Sequence, residues 1–125
     1  MSASPFPGIV PGLRGERRAV VTPDMAATHA GGDGVLMAVW MILEMKLAAQ
    51  DSTQPFLPKD HTTVGYEICA RHWRSTPVGE WFTVTSELLE VDGRKLHFRV
   101  EARKARGIIG GGTLRRTIVR VGDLQ

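Results

Sequence analysis

Residues 35–49 read VLMAVWMILEMKLAA, an apolar run that only Glu44 and Lys46 interrupt. Leu, Met and Ala are strong helix formers, and neither Gly nor Pro breaks the run. A helix of this length rises roughly 22 Å, which is comparable to the width of a small domain. Because the run lacks a polar face of ordinary width, we predict a central helix that the rest of the chain encloses on most sides.

Downstream of this helix, apolar and polar residues alternate with a period of two, which is typical of half-buried strands. The pattern predicts long strands over residues 61–73, 81–91, 95–103 and 108–121. A shorter strand is predicted before the helix, over residues 19–22. The Asp92-Gly93 pair predicts a hairpin with a type I′ turn. The apolar surface of a long helix that precedes an antiparallel meander is buried best when the sheet wraps around the helix. We therefore predict an α+β fold of the hot-dog type.

The segments before the helix carry many Pro and Gly residues. We predict a flexible N-terminal arm over residues 1–15 and a single domain over residues 16–125. Thr22-Pro23 predicts a short helical turn, because Pro suits the first helical position. The glycines of residues 31–34 predict a mobile joint, with Asp33 as a candidate N-cap of the long helix.

Composition narrows the function classes. The chain has 125 residues and a formal charge of +3, with one Cys (Cys69) and four His. The lone Cys predicts a reducing, cytoplasmic location, and no signal peptide or membrane span is expected. The His and Cys residues never cluster at metal-ligand spacing, so we expect no metal site. No basic helix or aromatic stacking pattern indicates nucleic-acid binding.

Four segments carry a family resemblance: GYEICARH (65–72), TPVG (76–79), VTSELLEVDGR (84–94) and GGTLRR (111–116). They resemble the matching strands of the fluoroacetyl-CoA thioesterase family and of related hot-dog thioesterases. The similarity covers roughly the last two-thirds of the chain. It implies the hot-dog fold, an acyl-CoA substrate and no cofactor other than the coenzyme A of that substrate.

The resemblance places three of the family's site positions on matching residue types here. His72 matches the active-site His, and a neutral imidazole could orient or deprotonate a water molecule. Gly65 matches the glycine whose backbone N–H would hold the carbonyl oxygen, and Arg116 matches an Arg that fixes the pocket or the substrate. From the residues alone, His72 could equally be a hydrogen-bonded sheet residue, and Gly65 could mark a β-bulge.

Three other positions depart from the family pattern. Ala38 stands where the family has its catalytic Thr, Lys46 where it has its catalytic Glu, and Gly32 where it has an aromatic lid. We therefore do not expect fluoroacetyl specificity. Ala38 remains a candidate substrate-binding position, and an Asp33 carboxylate could replace the missing Glu.

Lys46 lies on an apolar helix, where a charge is expensive to bury without a partner. Its ammonium could stabilise a developing oxyanion, which makes it a catalytic candidate. It could equally pair with Glu67 or with a carboxylate of a second subunit. Glu44 cannot share its helix face, because residues two apart point to different sides.

These observations predict a homodimer or tetramer that binds an acyl-CoA between the central helix and a neighbouring subunit's strands. One interpretation is an enzyme that hydrolyses a small or aromatic acyl thioester, with His72, Lys46 and Gly65 as catalytic candidates. The alternative is a non-catalytic hot-dog protein that binds an acyl-CoA or another hydrophobic ligand. Arg and Lys side chains on the strands suit the phosphates of coenzyme A.

Overall fold

One long helix and one five-stranded sheet make up most of the chain, of which the computed structural model describes residues 2–124. In chain order, the elements are strands β1 (Arg14–Val20), β2 (Ala26–Ala27) and β3 (Val35–Leu36), helix α1 (Ala38–Thr53), and strands β4 (His61–His72), β5 (Trp81–Asp92), β6 (Lys95–Lys104) and β7 (Gly107–Arg120). A short 3-10 turn covers Pro23–Met25, as the Thr22-Pro23 pair predicts.

The five-stranded sheet has the order β1-β5-β6-β7-β4, and every neighbouring pair is antiparallel. Strands β5 and β6 alternate buried and less buried residues, as their sequence pattern predicts. Their buried side chains join those of α1 in one core, whose members include Met41, Met45, Phe82, Val84, Leu88, Leu96, Phe98 and Leu114. The predicted α+β arrangement of a helix against an antiparallel sheet is confirmed.

Helix α1 lies very close to the backbone of β1. A Cβ atom at Gly15 would lie 2.2 Å from the backbone oxygen of Ala48 and 2.8 Å from the Ser86 hydroxyl. Only glycine therefore allows this approach.

The N-terminal segment differs from the predicted arm. The Ile9 side chain is 1% exposed and belongs to the core. The Gly12 N–H donates a hydrogen bond of 2.8 Å to the Leu88 carbonyl, so the chain is already attached to β5 before β1 begins at Arg14. The strand that was expected over residues 19–22 starts five residues earlier and ends at Val20.

Helix α1 begins at Ala38 rather than at Val35. Val35 and Leu36 instead pair with Ala27 and Ala26, and the chain is still extended at Met37, the N-cap, with φ −75° and ψ 143°. No side chain caps the helix, so the prediction of Asp33 as N-cap is wrong. Residues 35 and 36 are extended rather than helical because backbone hydrogen bonds hold them: the Leu36 N–H donates to the Thr76 carbonyl.

The helix keeps one apolar face open within a single chain. Val39 is 63% exposed and Leu43 is 40% exposed. A hollow of about 400 Å³ lies along this face, lined by Val39, Trp40, Ile42, Leu43 and Lys46. The sheet therefore encloses less of the helix than the sequence predicts.

The β5–β6 hairpin forms where it was predicted, but its turn is different. Asp92 pairs with Lys95, so Gly93 and Arg94 are the central residues. Gly93 has a φ of 61°, and no non-glycine residue of the described chain has a positive φ. A positive φ at the first central residue alone fits a type II′ turn, whereas type I′ needs it at both.

Candidate active site

Three of the predicted site residues meet in one pocket of about 200 Å³. Lys46 reaches it from α1, Gly65 from β4 and Arg116 from β7, the strand that pairs with β4. Gly65 and Arg116 are direct cross-strand partners. A Cβ atom at Gly65 would lie 3.3 Å from Arg116 Nη1 and 3.5 Å from Lys46 Cε, so the absent side chain leaves the space that both cations border.

The Arg116 guanidinium is buried, with 5% of the residue exposed. Its Nε donates to the Thr63 hydroxyl and its Nη2 donates to the Thr63 carbonyl, both at 2.8 Å. Burial lowers the pKa of Arg116, yet an arginine stays charged at neutral pH. The pocket therefore holds a fixed positive charge.

Thr63 is a site residue that the sequence reasoning missed. It is 3% exposed and supplies both hydrogen bonds that orient Arg116. One signal was available: Arg116 alternates with the buried Leu114 and Ile118, so it had to find a partner inside the protein.

Glu67 of this pocket and Glu44 of α1 are both engaged by arginines other than Arg116. Glu67 accepts a hydrogen bond of 2.9 Å from Arg115, and Glu44 accepts one of 3.0 Å from Arg17. Across residues 2–124, neither Lys46 nor Arg116 has an ion pair within the chain. The expected alternative of a Lys46–Glu67 pair is therefore wrong within one chain, because Glu67 is held by its cross-strand neighbour.

A β-bulge lies immediately after Gly65. The register of β4 against β7 shifts between Gly65 and Glu67. The bulge that the glycine was expected to mark is therefore present, and it coexists with the pocket. Bulges re-aim side chains, and this one lies at the pocket wall.

His72 lies at the far end of β4 from Gly65. The two residues are separated along the strand by roughly 23 Å, at about 3.3 Å a residue. His72 pairs with Gly110, and a Cβ atom at Gly110 would contact Met41 of α1. Because paired residues face the same side of a sheet, the imidazole is on the helix side. One chain therefore does not bring His72 to the pocket of Lys46 and Gly65.

The imidazole of His72 is half-buried, and its Nε2 is inaccessible to solvent with no hydrogen-bond partner among the described residues. Burial lowers the pKa of His72 below its ordinary value, while a backbone hydrogen bond at Arg74 opposes the shift in part. The ring is therefore neutral at pH 7, the form that accepts a proton from water.

Two further candidates lie at the start of α1, away from the pocket. Ala38 is the first residue of the helix and is exposed. Asp33 is exposed in the loop between β2 and β3, and neither residue lines the pocket of Lys46. In residues 2–124 no three His, Cys, Asp or Glu side chains gather as a metal site would require.

The family model described as fluoroacetyl-CoA-specific thioesterase matches residues 20–121. The chain belongs to this family. It is 35% identical over 82 residues to the fluoroacetyl-CoA thioesterase of Streptantibioticus cattleyicolor, a match that spans 66% of this chain and 59% of that protein.

Solved structures agree with the family assignment. A fluoroacetyl-CoA thioesterase structure superposes with a TM-score of 0.86 at 30% identity, covering 94% of this chain and 93% of that one. A thioesterase superfamily member of Thermus thermophilus gives 0.84 at 28% identity, with 94% and 89% covered. A hot-dog-like protein of Thermanaerovibrio acidaminovorans gives 0.83 at 18% identity, with 95% and 87% covered. The hot-dog fold is therefore confirmed.

Gly65 and Arg116 share a pocket, whereas Ala38 supplies no hydroxyl and Lys46 supplies an ammonium. Within residues 2–124, no helix is long and apolar enough to cross a membrane.

Proposed function

We propose that this protein hydrolyses a small acyl-CoA thioester in a site that two copies of the chain build together. The observation that carries the proposal is the pocket at which Gly65 meets the buried Arg116. Family membership supports the reaction class, and one related fluoroacetyl-CoA thioesterase variant has been solved with fluoroacetate and CoA.

The edge strand β4 supports a two-chain site. Residues 65–69 are all exposed, with Tyr66 at 50% and Ile68 at 37%. An edge strand offers unpaired backbone groups to another strand. If two copies of β4 pair antiparallel about a centre between Ile68 and Cys69, His72 lies opposite Gly65 of the partner subunit. A homodimer paired in this register closes the gap between His72 and the pocket.

A tetramer is the second assembly that the exposed surfaces allow. The open face of α1 around Val39 and Leu43 is a second exposed apolar surface of the chain. Exposed apolar surface of this kind is typical of a further subunit contact.

The chemistry proposed for this dimeric site uses His72 and Gly65 as the reacting groups. Neutral His72 takes a proton from water, and the water oxygen attacks the thioester carbonyl. The Gly65 N–H holds the carbonyl oxygen as it becomes an oxyanion, within the positive potential of Arg116. The C–S bond then breaks, the proton passes to the thiolate, and the products are a carboxylic acid and free coenzyme A.

The alternative is a protein that binds the thioester and releases no product. Ala38 and Lys46 favour it, because these residue types supply neither a hydroxyl that positions water nor a carboxylate that acts as base. In that case an acyl-CoA gives saturable heat in calorimetry, and the thiol is not released.

The purified protein should release thiol from a panel of short and aromatic acyl-CoAs, followed with a thiol-reactive dye. His72→Ala should lower kcat/KM by about a hundredfold or more, the range typical of a lost general base. The exposed-loop variant His29→Ala is the matched control and should keep the wild-type rate. If wild type is no faster than His72→Ala, the hydrolase is rejected in favour of the binding protein.

The variant Lys46→Glu separates the two alternatives further. It restores a carboxylate at the position where the family has its catalytic Glu. Hydrolysis of a neutral acyl-CoA should rise if the rest of the site is intact. An unchanged rate would indicate that the pocket has lost more than this one group.

Coenzyme A takes part in this proposal only as a portion of the substrate. Arg103, Lys104 and Arg106 border a groove of about 520 Å³ with Arg18 and Trp81, on a part of the sheet that suits anionic groups.

We also propose a cytoplasmic location, which the free thiol of the single Cys69 supports.

A further inference from the structure

We infer that the acyl group of the substrate itself carries a carboxylate, which binds between Lys46 and Arg116. The inference rests on the proposed thioester site and names its substrate class: an acyl-CoA of a short dicarboxylic acid.

The charge of the pocket is unbalanced. Lys46, Arg115 and Arg116 line it against the single carboxylate of Glu67, and Tyr66 is its other ionisable neighbour. The formal charge of the lining is therefore +2. Glu67 neutralises Arg115, which donates to it at 2.9 Å, so the charges left over are those of Lys46 and Arg116.

Within residues 2–124, the hydrogen-bond partners of Arg116 are all neutral. Both of its hydrogen bonds go to Thr63, and within the described chain its Nη1 makes none. A buried cation without a carboxylate is costly, and that cost falls when an anion binds. Charge-assisted hydrogen bonds to a guanidinium are also among the strongest in proteins.

The end of the Lys46 side chain and the free Nη1 of Arg116 border the same space. Arg116 Nη1 and Lys46 Cε lie 3.3 Å and 3.5 Å from the position that a Cβ of Gly65 would occupy. The two cations thus converge on the space above Gly65. One carboxylate oxygen can accept from Arg116 and the other from the Lys46 ammonium.

The size of the pocket limits the acyl group. The pocket has about 200 Å³, and a water molecule takes up about 30 Å³ of liquid, so the space holds a group of about seven heavy atoms. That suits an acyl group of three or four carbons with a terminal carboxylate. The nucleotide of coenzyme A is far larger than this space. The acyl carboxylate is therefore the anion that fits.

Matched pairs of thioesters test the inference. Malonyl-CoA is compared with propionyl-CoA, and succinyl-CoA with butyryl-CoA, after subtraction of the rate without protein. The charged member of each pair should have a kcat/KM about tenfold or more higher, since hydrogen bonds to charged groups contribute on this scale. Lys46→Met, which keeps the length and removes the charge, should bring that ratio towards one. The exposed-loop variant Lys59→Met should keep it.

Truncated substrates distinguish the acyl carboxylate from the CoA phosphates. Succinyl and butyryl thioesters of N-acetylcysteamine carry no phosphate. The preference for succinyl, and its loss in Lys46→Met, should persist with them. If Lys46→Met instead slows both CoA thioesters equally and leaves both cysteamine thioesters unchanged, the cations bind phosphate and the inference is overturned.

A binding measurement separates this inference from the proposed hydrolysis. The thioethers S-(3-carboxypropyl)-CoA and S-butyl-CoA have no carbonyl to attack, and calorimetry gives their affinities. Tighter binding of the carboxypropyl ether, reversed by Lys46→Met, supports the carboxylate subsite even if no thioester is hydrolysed. Equal affinities together with normal turnover of propionyl-CoA would reject the subsite and leave the hydrolase standing.

Discussion

At the scale of single residues, the imidazole of His72 should set the acid side of the pH–rate profile. Burial lowers its pKa, and the neutral ring is the active form. Activity should therefore hold below about pH 6.5, the ordinary pKa of histidine, and fall only as the pH drops through the lower folded-state value. The measurements are kcat/KM against pH and NMR titration of the His72 ring protons.

The same shift fixes the sign of a stability effect. A buried His with a lowered pKa binds fewer protons in the folded state than in the unfolded state. Its contribution to stability is present above the unfolded pKa and is lost as the pH falls towards the folded one. A ring titration at or above pH 6.5 would contradict both statements.

Thr63 should be needed to hold Arg116 in place. Thr63→Val removes the hydroxyl that accepts from Arg116 Nε and leaves a buried donor without a partner. We expect a loss of about 1–3 kcal/mol in the free energy of unfolding, measured by urea denaturation. Thr117→Val is the matched control, because this half-buried β7 threonine makes no side-chain hydrogen bond within the described chain. Equal losses in the two variants would remove the special role of Thr63.

At the scale of elements, the seating of α1 on β1 depends on Gly15. Gly15→Ala would place a Cβ at 2.2 Å from the Ala48 backbone oxygen, so the helix must move. We expect a loss of at least about 1–3 kcal/mol in the free energy of unfolding, the usual cost of overpacking. Gly122→Ala has open space around it and should be close to neutral. A Gly15→Ala protein as stable as wild type would show that α1 has room to shift.

At the scale of the whole molecule, two variants impaired towards dicarboxylic acyl-CoAs should restore one another if the site spans two chains. His72→Ala and Lys46→Met are co-expressed with different tags and the mixed dimer is purified. One of its two sites then combines an intact His72 with an intact Lys46, and the other carries both changes. The purified mixed dimer should have about half of the wild-type activity towards a dicarboxylic acyl-CoA, because one of its two sites is intact.

The dimer interface can be broken as a check on this result. Ile68→Asp puts a charge on the exposed edge of β4 and should give a monomer in sedimentation analysis. Val10→Asp, on an exposed residue of the N-terminal segment, should leave the assembly intact. Activity without restoration in mixed dimers, or full activity in an Ile68→Asp monomer, would place the whole site within one chain.

Much of the fold follows from local pattern. The apolar run of residues 35–49 and the alternation of β5 and β6 predict the helix, the strands and their buried faces, because both periods are properties of the backbone itself. The helix start was wrong by three residues, since hydrogen bonds from distant segments hold Val35 and Leu36 extended. The close contact of Gly15 with Ala48 could not be predicted from the sequence either, because the two residues are far apart in the chain.

The sequence by itself determined the fold class, the family and the residue types at Gly65, His72 and Arg116. Only the tertiary structure decided which of them meet. It joined Arg116 to Thr63 and to the Lys46 pocket, and it set His72 at the other end of β4. The physical reason is that a site depends on strand register and on which charges find partners, and both arise from pairings between segments remote in sequence.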